Sequence, residues 1–339
     1  MVEIVVVGCG GMAGTWVDYG LSRDDTEIVG LIDVNIGAAR KMAKRHNLSI
    51  PVFDRLEEAL AECEGDLVFN VTPPDIHQQV VTTALKAGYD VFGEKPMASS
   101  LNECREMVRV AEETGRMYAV MQNRRYNKNI RAYRQLITSG TIGEPGFITA
   151  DFFLGPHFGG FRDVMEDPLI LDMAIHTFDQ ARMIADADPV SVYCHQFNPP
   201  GSWYQGNAAA ICIFEFSNGS VFSYNGSWCA EGVPTSWEAS WRVSGSRGTA
   251  VWDGKNKPYA EVLIPASEKK FMNDFKKVEG EYLWNGREGH QGCLDEMFAA
   301  LENGRRAETD CRDNIKSMAM VFGALESAGK EKKIGFEKI

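Results

Sequence analysis

The segment Val5-Val6-Val7-Gly8-Cys9-Gly10-Gly11-Met12-Ala13-Gly14 decides the fold. An apolar run of strand length ends in G-x-G-x-x-A and leads into a helix-compatible stretch, the order that opens a parallel α/β domain. Gly8 makes the tight turn, Gly10 lets the backbone approach a pyrophosphate, and Ala13 permits close helix packing, with the phosphates at the helix N-terminus. The spacing alone is a weak signal. It gains force from Asp33, which ends the next apolar run about 20 residues beyond Ala13, where a carboxylate accepts from an adenosine ribose. That charge repels a 2′-phosphate and Val34-Asn35 supplies no arginine, so NAD is expected ahead of NADP.

Outward from this turn, apolar runs at 3–7, 28–32, 66–71, 90–92 and 117–120 alternate with amphipathic patterns at 36–46, 56–61, 77–87 and 101–114. This is the rhythm of a parallel sheet wrapped by crossover helices. It breaks near Asn123-Arg124-Arg125-Tyr126, and a helix over 130–137 is stopped by Ser139-Gly140. Beyond Pro145 the pattern turns to strands, at 147–153, 190–195, 208–216, 220–227, 237–244 and 249–252. Asn218-Gly219 marks a hairpin, and helical patterns lie at 169–184, 289–301 and 311–328. The expected architecture is an α/β Rossmann domain over 1–123, then an α+β domain over 124–339 with a large, mostly antiparallel open sheet.

The chain has 339 residues, which corresponds to about two domains, with ordinary globular proportions of 44% hydrophobic and 24% charged residues. Thirty-five Lys and Arg stand against 47 Asp and Glu, a formal charge of −12 that disfavours binding a phosphate backbone. No nucleic-acid partner is expected. No run approaches the roughly 18 apolar residues of a membrane span, and the first eight residues lack the marks of a signal peptide, so the expected compartment is cytoplasmic. The eight Cys form no C-x-x-C pair, which argues against a structural zinc site and a disulfide framework.

Two further segments carry chemistry. Lys95, in Gly93-Glu94-Lys95-Pro96, follows a strand on the edge where open α/β sheets bind ligands, and its ammonium is a candidate donor to a substrate oxygen; a surface lysine without a task is the competing reading. Asp172 and His176 lie four apart on one helical face, with Asp179 three further on. A metal face, a plain structural helix and a catalytic pair compete there. No Cys, His or Glu completes a metal-ligand motif, so no metal is expected.

Val71-Thr72-Pro73-Pro74-Asp75-Ile76-His77, the Glu-Lys-Pro segment and Asp172-Met173-Ala174-Ile175-His176 together resemble the glucose–fructose oxidoreductase, inositol dehydrogenase and MocA family, across essentially the whole chain. The resemblance implies an NAD(P)-dependent oxidoreductase moving hydride between nicotinamide and a secondary hydroxyl of a sugar, inositol or related polyol. It implies His176 as general base, Lys95 stabilising the alkoxide, and Asp172 orienting the imidazole or substrate. The cofactor is expected against Gly8, Gly10, Gly11, Met12, Asp33, Val34, Thr72, Pro73, Pro74, His77, Glu94, Lys95 and Gln122. The substrate is expected against Lys95, Asn123, His157, Arg162, Asp172 and His176, with Asp163 and the faces of Trp228, Trp237, Trp241 and Tyr282 as further candidates.

Trp237 and Trp241, read as four apart on a strand, share a face as core or interface. Family members pair through the open sheet face, so a homodimer or homotetramer is expected. None of the ten Tyr has a Lys four residues later, which removes the short-chain dehydrogenase site. An NAD-retaining glycosidase of the same architecture and a non-catalytic dinucleotide-sensing regulator stand as the alternatives.

Overall fold

The structure, a computed structural model, describes residues 1–266, 268 and 270–336. The chain forms two compact units, Met1–Gln122 with Cys293–Ile315, and Asn123–Gly292 with the segment from Lys316 onward.

In the first unit a six-stranded sheet is built from β1 (Val2–Val7), β2 (Thr26–Ile32), β3 (Val52–Phe53), β4 (Leu67–Asn70), β5 (Asp90–Gly93) and β6 (Tyr118–Val120). The order is β3-β2-β1-β4-β5-β6 with every pair parallel, the doubly wound arrangement of a Rossmann domain. Between the strands run α1 (Ala13–Leu21), α2 (Ile36–Arg45), α3 (Leu56–Glu62), α4 (His77–Lys86) and α5 (Leu101–Thr114). Local chemistry sets their ends. Ser100 Oγ accepts from the Glu103 amide at 3.2 Å at the start of α5, and Gly115 at φ 68° ends it.

Cys293–Ile315 belongs to this unit, whereas the sequence reading placed everything after 123 in the second. The reason is packing. Phe298 sits 5.3 Å from Phe92 and 6.1 Å from Phe69 in edge-on contacts, and stacks 5.8 Å from Tyr19. The Tyr19 hydroxyl donates to Asp295 at 2.8 Å, and the Val120 amide donates to the Thr309 carbonyl, extending the edge of β6. Aromatic burial of this size outweighs the sequence distance.

After α6 (Lys128–Thr138), the second unit builds a nine-stranded sheet from β7 (Pro145–Phe153), β8 (Pro189–Phe197), β9 (Ala209–Phe216), β10 (Val221–Ser227), β11 (Ser240–Gly245), β12 (Gly248–Trp252), β13 (Tyr259–Leu263), β14 (Phe275–Glu279) and β15 (Ile334–Gly335). The order is β14-β13-β12-β11-β7-β10-β9-β8-β15; β7 and β10 pair in parallel and every other neighbouring pair is antiparallel.

One face of this sheet packs on α7 (Ile175–Ala185), which is buried along its whole length. Phe178 meets Phe214 at 4.8 Å and Tyr224 at 5.2 Å, both edge-on. Two longer helices, α8 (Gly289–Glu302) and α9 (Cys311–Lys330), lie between β14 and β15 in the chain. In the hairpin between β9 and β10 only Gly219 carries a positive φ, 82°, while Asn218 Oδ1 accepts from the Ser220 amide at 3.0 Å.

The continuous helix expected over 169–184 is two structures. Leu169–Ala174 is wound as a π-helix and passes into α7. Trp237 lies in a turn before β11, half exposed, and not on the strand with buried Trp241, so the shared-face reading fails. Trp241 stacks 6.0 Å from Phe222 in the core.

Candidate active site

All six parallel strands of the first unit point their carboxyl ends to one edge, and the predicted cofactor residues gather there. Gly8 follows β1 at φ 90°, where a Cβ would stand 2.7 Å from the Val71 carbonyl oxygen, so only glycine fits. Cβ atoms at Gly10 and Gly11 would meet nothing within 4 Å, which leaves the backbone open to a close ligand. Met12 begins α1 without a side-chain cap, so the first-turn amides and the helix dipole face outward as an anion site.

Asp33 is fixed before any ligand arrives. Its Oδ2 accepts from the Cys9 amide at 2.8 Å and its Oδ1 from the Asn35 amide at 2.8 Å. Burial, with the Asp33 charge beside it, pushes the Cys9 thiol up to about 12, so this cysteine stays protonated and unreactive. Val34 is exposed.

At the end of β4, buried Asn70 accepts from the Thr72 hydroxyl at 2.6 Å, setting the Thr72-Pro73-Pro74 turn. The amide nitrogens of Asn70 and Gln122 are buried donors with no partner among the described residues. Open glycine backbone, an uncapped helix and two spare buried amide donors, with an anchored carboxylate as acceptor, along one sheet edge fit the needs of a dinucleotide.

Lys95 lies two residues past β5 on this same edge, half-buried, with a cis bond to Pro96. Glu94 shapes the segment: its Oε1 accepts from Trp16 Nε1 at 2.8 Å and its Oε2 from the Lys95 amide at 3.2 Å. His77 is fully buried. Its Nδ1 lies 2.9 Å from the Pro96 carbonyl and its Nε2 2.7 Å from the Thr72 carbonyl, so the ring ties two loops together where the sequence reading expected a cofactor contact.

The second unit holds the other group. Asp172 falls in the π-wound segment and His176 in the first turn of α7, both largely buried. A single π-turn joined to an α-helix is a frequent feature of functional sites, because it rotates side chains out of ordinary α register. Arg162 Nε donates to Asp172 Oδ2 at 2.7 Å. Asp179 is occupied otherwise, in a buried two-bond pair with Arg125 at 2.6 Å each. Among the described residues no group of three or more His, Cys, Asp or Glu is placed to hold a metal ion.

The remaining candidates divide. Asn123 Nδ2 lies 3.4 Å from His290 Nδ1, a partner not singled out in the sequence. His157, exposed, stacks 3.7 Å from Trp203 and meets Glu231 at 2.8 Å. Trp228 is buried against Phe152, whereas Tyr282, whose hydroxyl donates to Asn129 at 2.8 Å, is as exposed as Trp237. Trp237 packs near Phe158, 6.4 Å between centroids. Asn70 was missed; the signal was a polar residue closing an apolar strand just before Thr72-Pro73.

Residues 2–122 match the model of an oxidoreductase family with an NAD-binding Rossmann fold, and residues 130–251 match the GFO/IDH/MocA C-terminal domain. A 1,5-anhydro-D-fructose reductase of Ensifer adhaerens is 26% identical over 95% of this chain and 95% of its own. An inositol 2-dehydrogenase of Rhizobium meliloti is 23% identical over 91% of this chain and 92% of its own. The crystal structure of an Agrobacterium radiobacter oxidoreductase in complex with NAD+, L-tartaric acid and magnesium superposes with a TM-score of 0.83 at 22% identity, covering 98% of both chains.

Proposed function

Because the chain belongs to the GFO/IDH/MocA family of NAD-binding oxidoreductases, we propose that it is an NAD-dependent dehydrogenase for a secondary hydroxyl of a sugar, inositol or related polyol. One observation carries this reading most: Lys95 lies on the same carboxyl edge of the parallel sheet as the open glycine turn. Relatives named as a reductase of an anhydro-sugar and as an inositol dehydrogenase support the substrate class.

Bound NAD, held by the Gly8–Met12 turn and Asp33, supplies the hydride acceptor. In this reading His176 takes the hydroxyl proton, and the Lys95 ammonium stabilises negative charge developing on that oxygen. Asp172 orients the imidazole or the substrate, and Arg162 holds Asp172 in place through their 2.7 Å hydrogen bond. Glu94 and His77 act through Lys95 by fixing the backbone on either side of it.

The test is absorbance at the reduced-nicotinamide band with NAD or NADP and a panel of inositols, aldoses, deoxysugars and glycosides. Turnover is expected with NAD ahead of NADP. Asp33→Ser removes the charge that repels a 2′-phosphate and is expected to narrow that preference by about tenfold or more, in proportion to a lost charge-assisted hydrogen bond. Hydrolysis of an aryl glycoside without net NADH would replace this reading with that of an NAD-retaining glycosidase.

The same family reading includes self-association. On the face of the sheet away from α7, Tyr193 pairs in register with Ile213, and these lie with Ile211 and Phe147, each more than 40% exposed. Tyr193, Ile211 and Ile213 form the apolar patch, with Phe147 set apart from it across Ser223 and Glu215, and an exposed apolar patch supports an interface here. A homodimer or homotetramer is the expected mass in solution, and Ile213→Asp is expected to shift it to the monomer; a monomeric wild type overturns the assembly.

A further inference from the structure

Arg162 sits in the 3₁₀ turn Gly160–Val164, entered through Gly159 and Gly160 at φ 70° and 69°. Three contacts fix its guanidinium plane. Nε donates to Asp172 at 2.7 Å, and the guanidinium carbon lies 5.0 Å from the Phe158 ring centroid and 4.7 Å from that of Phe161. The Nη1 and Nη2 groups have no hydrogen-bond partner among the described residues, while the side chain stays 31% exposed. Both rings are themselves exposed, so the loop has spent no burial on hiding them.

A guanidinium held flat, with its two-nitrogen edge unused, is built to receive a planar or tetrahedral oxyanion by paired hydrogen bonds. This edge lies beside Asp172, one helical turn from His176, in a chain whose net charge is −12. The Asp172 carboxylate balances the cation's charge at a distance. What remains is therefore short-range and directional, selecting the shape of an acid group more than attracting anions in general.

We propose that the ligand of this site carries an anionic group, a carboxylate or a phosphate ester, received by the free edge of Arg162. The rest of the ligand, a sugar or polyol, rests on the dehydrogenase reading above. Under the competing account Arg162 only steadies Asp172; a lysine preserves that ion pair and lacks the paired edge, so Arg162→Lys separates the two.

The experiment is calorimetric binding to the NAD-saturated full-length protein at fixed ionic strength. The probes are free sugars, uronates and 6-phosphates of the gluco, galacto and manno series, with reduced-nicotinamide absorbance read in parallel. In at least one series an acidic member is expected to bind about 10- to 100-fold more tightly than its neutral parent, the value of charge-assisted hydrogen bonds. Arg162→Lys, shown folded by circular dichroism, is expected to lose most of that ratio. Preference for the uronate identifies a carboxylate, and preference for the ester a phosphate.

Equal binding, or no binding, of acidic and neutral members in all three series overturns the proposal, as does a ratio untouched by Arg162→Lys. Hydride transfer reports separately. Turnover of neutral sugars without an acid preference removes this proposal and leaves the dehydrogenase standing. An acid preference that depends on Arg162 but yields no NADH supports it and counts against the dehydrogenase.

Discussion

His176→Ala is expected to lower kcat by about 10²–10⁴-fold, the contribution of a positioned proton acceptor. Lys95→Ala is expected to cost about 10²–10³-fold, the effect of removing one donor to a developing oxyanion. Both losses fall mainly on kcat, because each group acts most strongly where charge develops, and KM is expected to change far less. The two residues serve one proton transfer, so the double variant is expected to be little slower than the slower single one. Steady-state and single-turnover NADH formation measure these effects, with NAD affinity and circular dichroism confirming that the first unit is intact. Wild-type rates in both single variants would sink the mechanism.

The parts of this molecule legible in its sequence are those whose causes are local. The turn at Gly8 follows from a steric demand a few residues wide, and α5 announces itself through Ser100, Glu103 and Gly115. Strand β3, only Val52–Phe53, carries too few residues to show a period. The π-wound segment at Leu169–Ala174 was hidden because apolar spacing reports which side is buried and not how tightly the backbone winds. Cys293–Ile315 joins the first unit through Phe298 and Asp295, contacts hundreds of residues away in sequence that no local pattern encodes.

Among the site residues, the sequence named positions more readily than roles. Glu94 and His77 were read as cofactor contacts, yet in the structure they bond Trp16, the Lys95 amide and two loop carbonyls. Both belong to the scaffold that fixes the Lys95 segment. The pairing of Arg162 with Asp172, ten residues apart across a turn, likewise needed the backbone to be seen.

Asp179 supplies the second large effect, on stability. It shares a helix with His176 and looked equally chemical in the sequence, but its carboxylate is 2% exposed and both its oxygens accept from one edge, Nε and Nη2, of an Arg125 guanidinium that is itself 5% exposed. Ser317 Oγ donates to Asp179 Oδ1 at 2.7 Å, and Arg182 Nη1 donates to Ser317 at 3.0 Å, closing a buried network around α7. Asp179→Ala leaves Arg125 charged, desolvated and without this partner, and is expected to cost about 3–5 kcal/mol. Ser317→Ala removes a donor to Asp179 and an acceptor of Arg182 but leaves the ion pair, and is expected to cost less, about 1.5–3 kcal/mol. Denaturant midpoints at constant slope measure both. Exchanging Arg125 and Asp179 together for apolar residues of similar volume is expected to recover most of the loss, because the penalty arises from the orphaned charge more than from the missing attraction. A double variant as unstable as the sum of the single ones would show that the pair stabilises the unit in its own right, and a marked fall in kcat per folded molecule of Asp179→Ala would return this carboxylate to the chemistry.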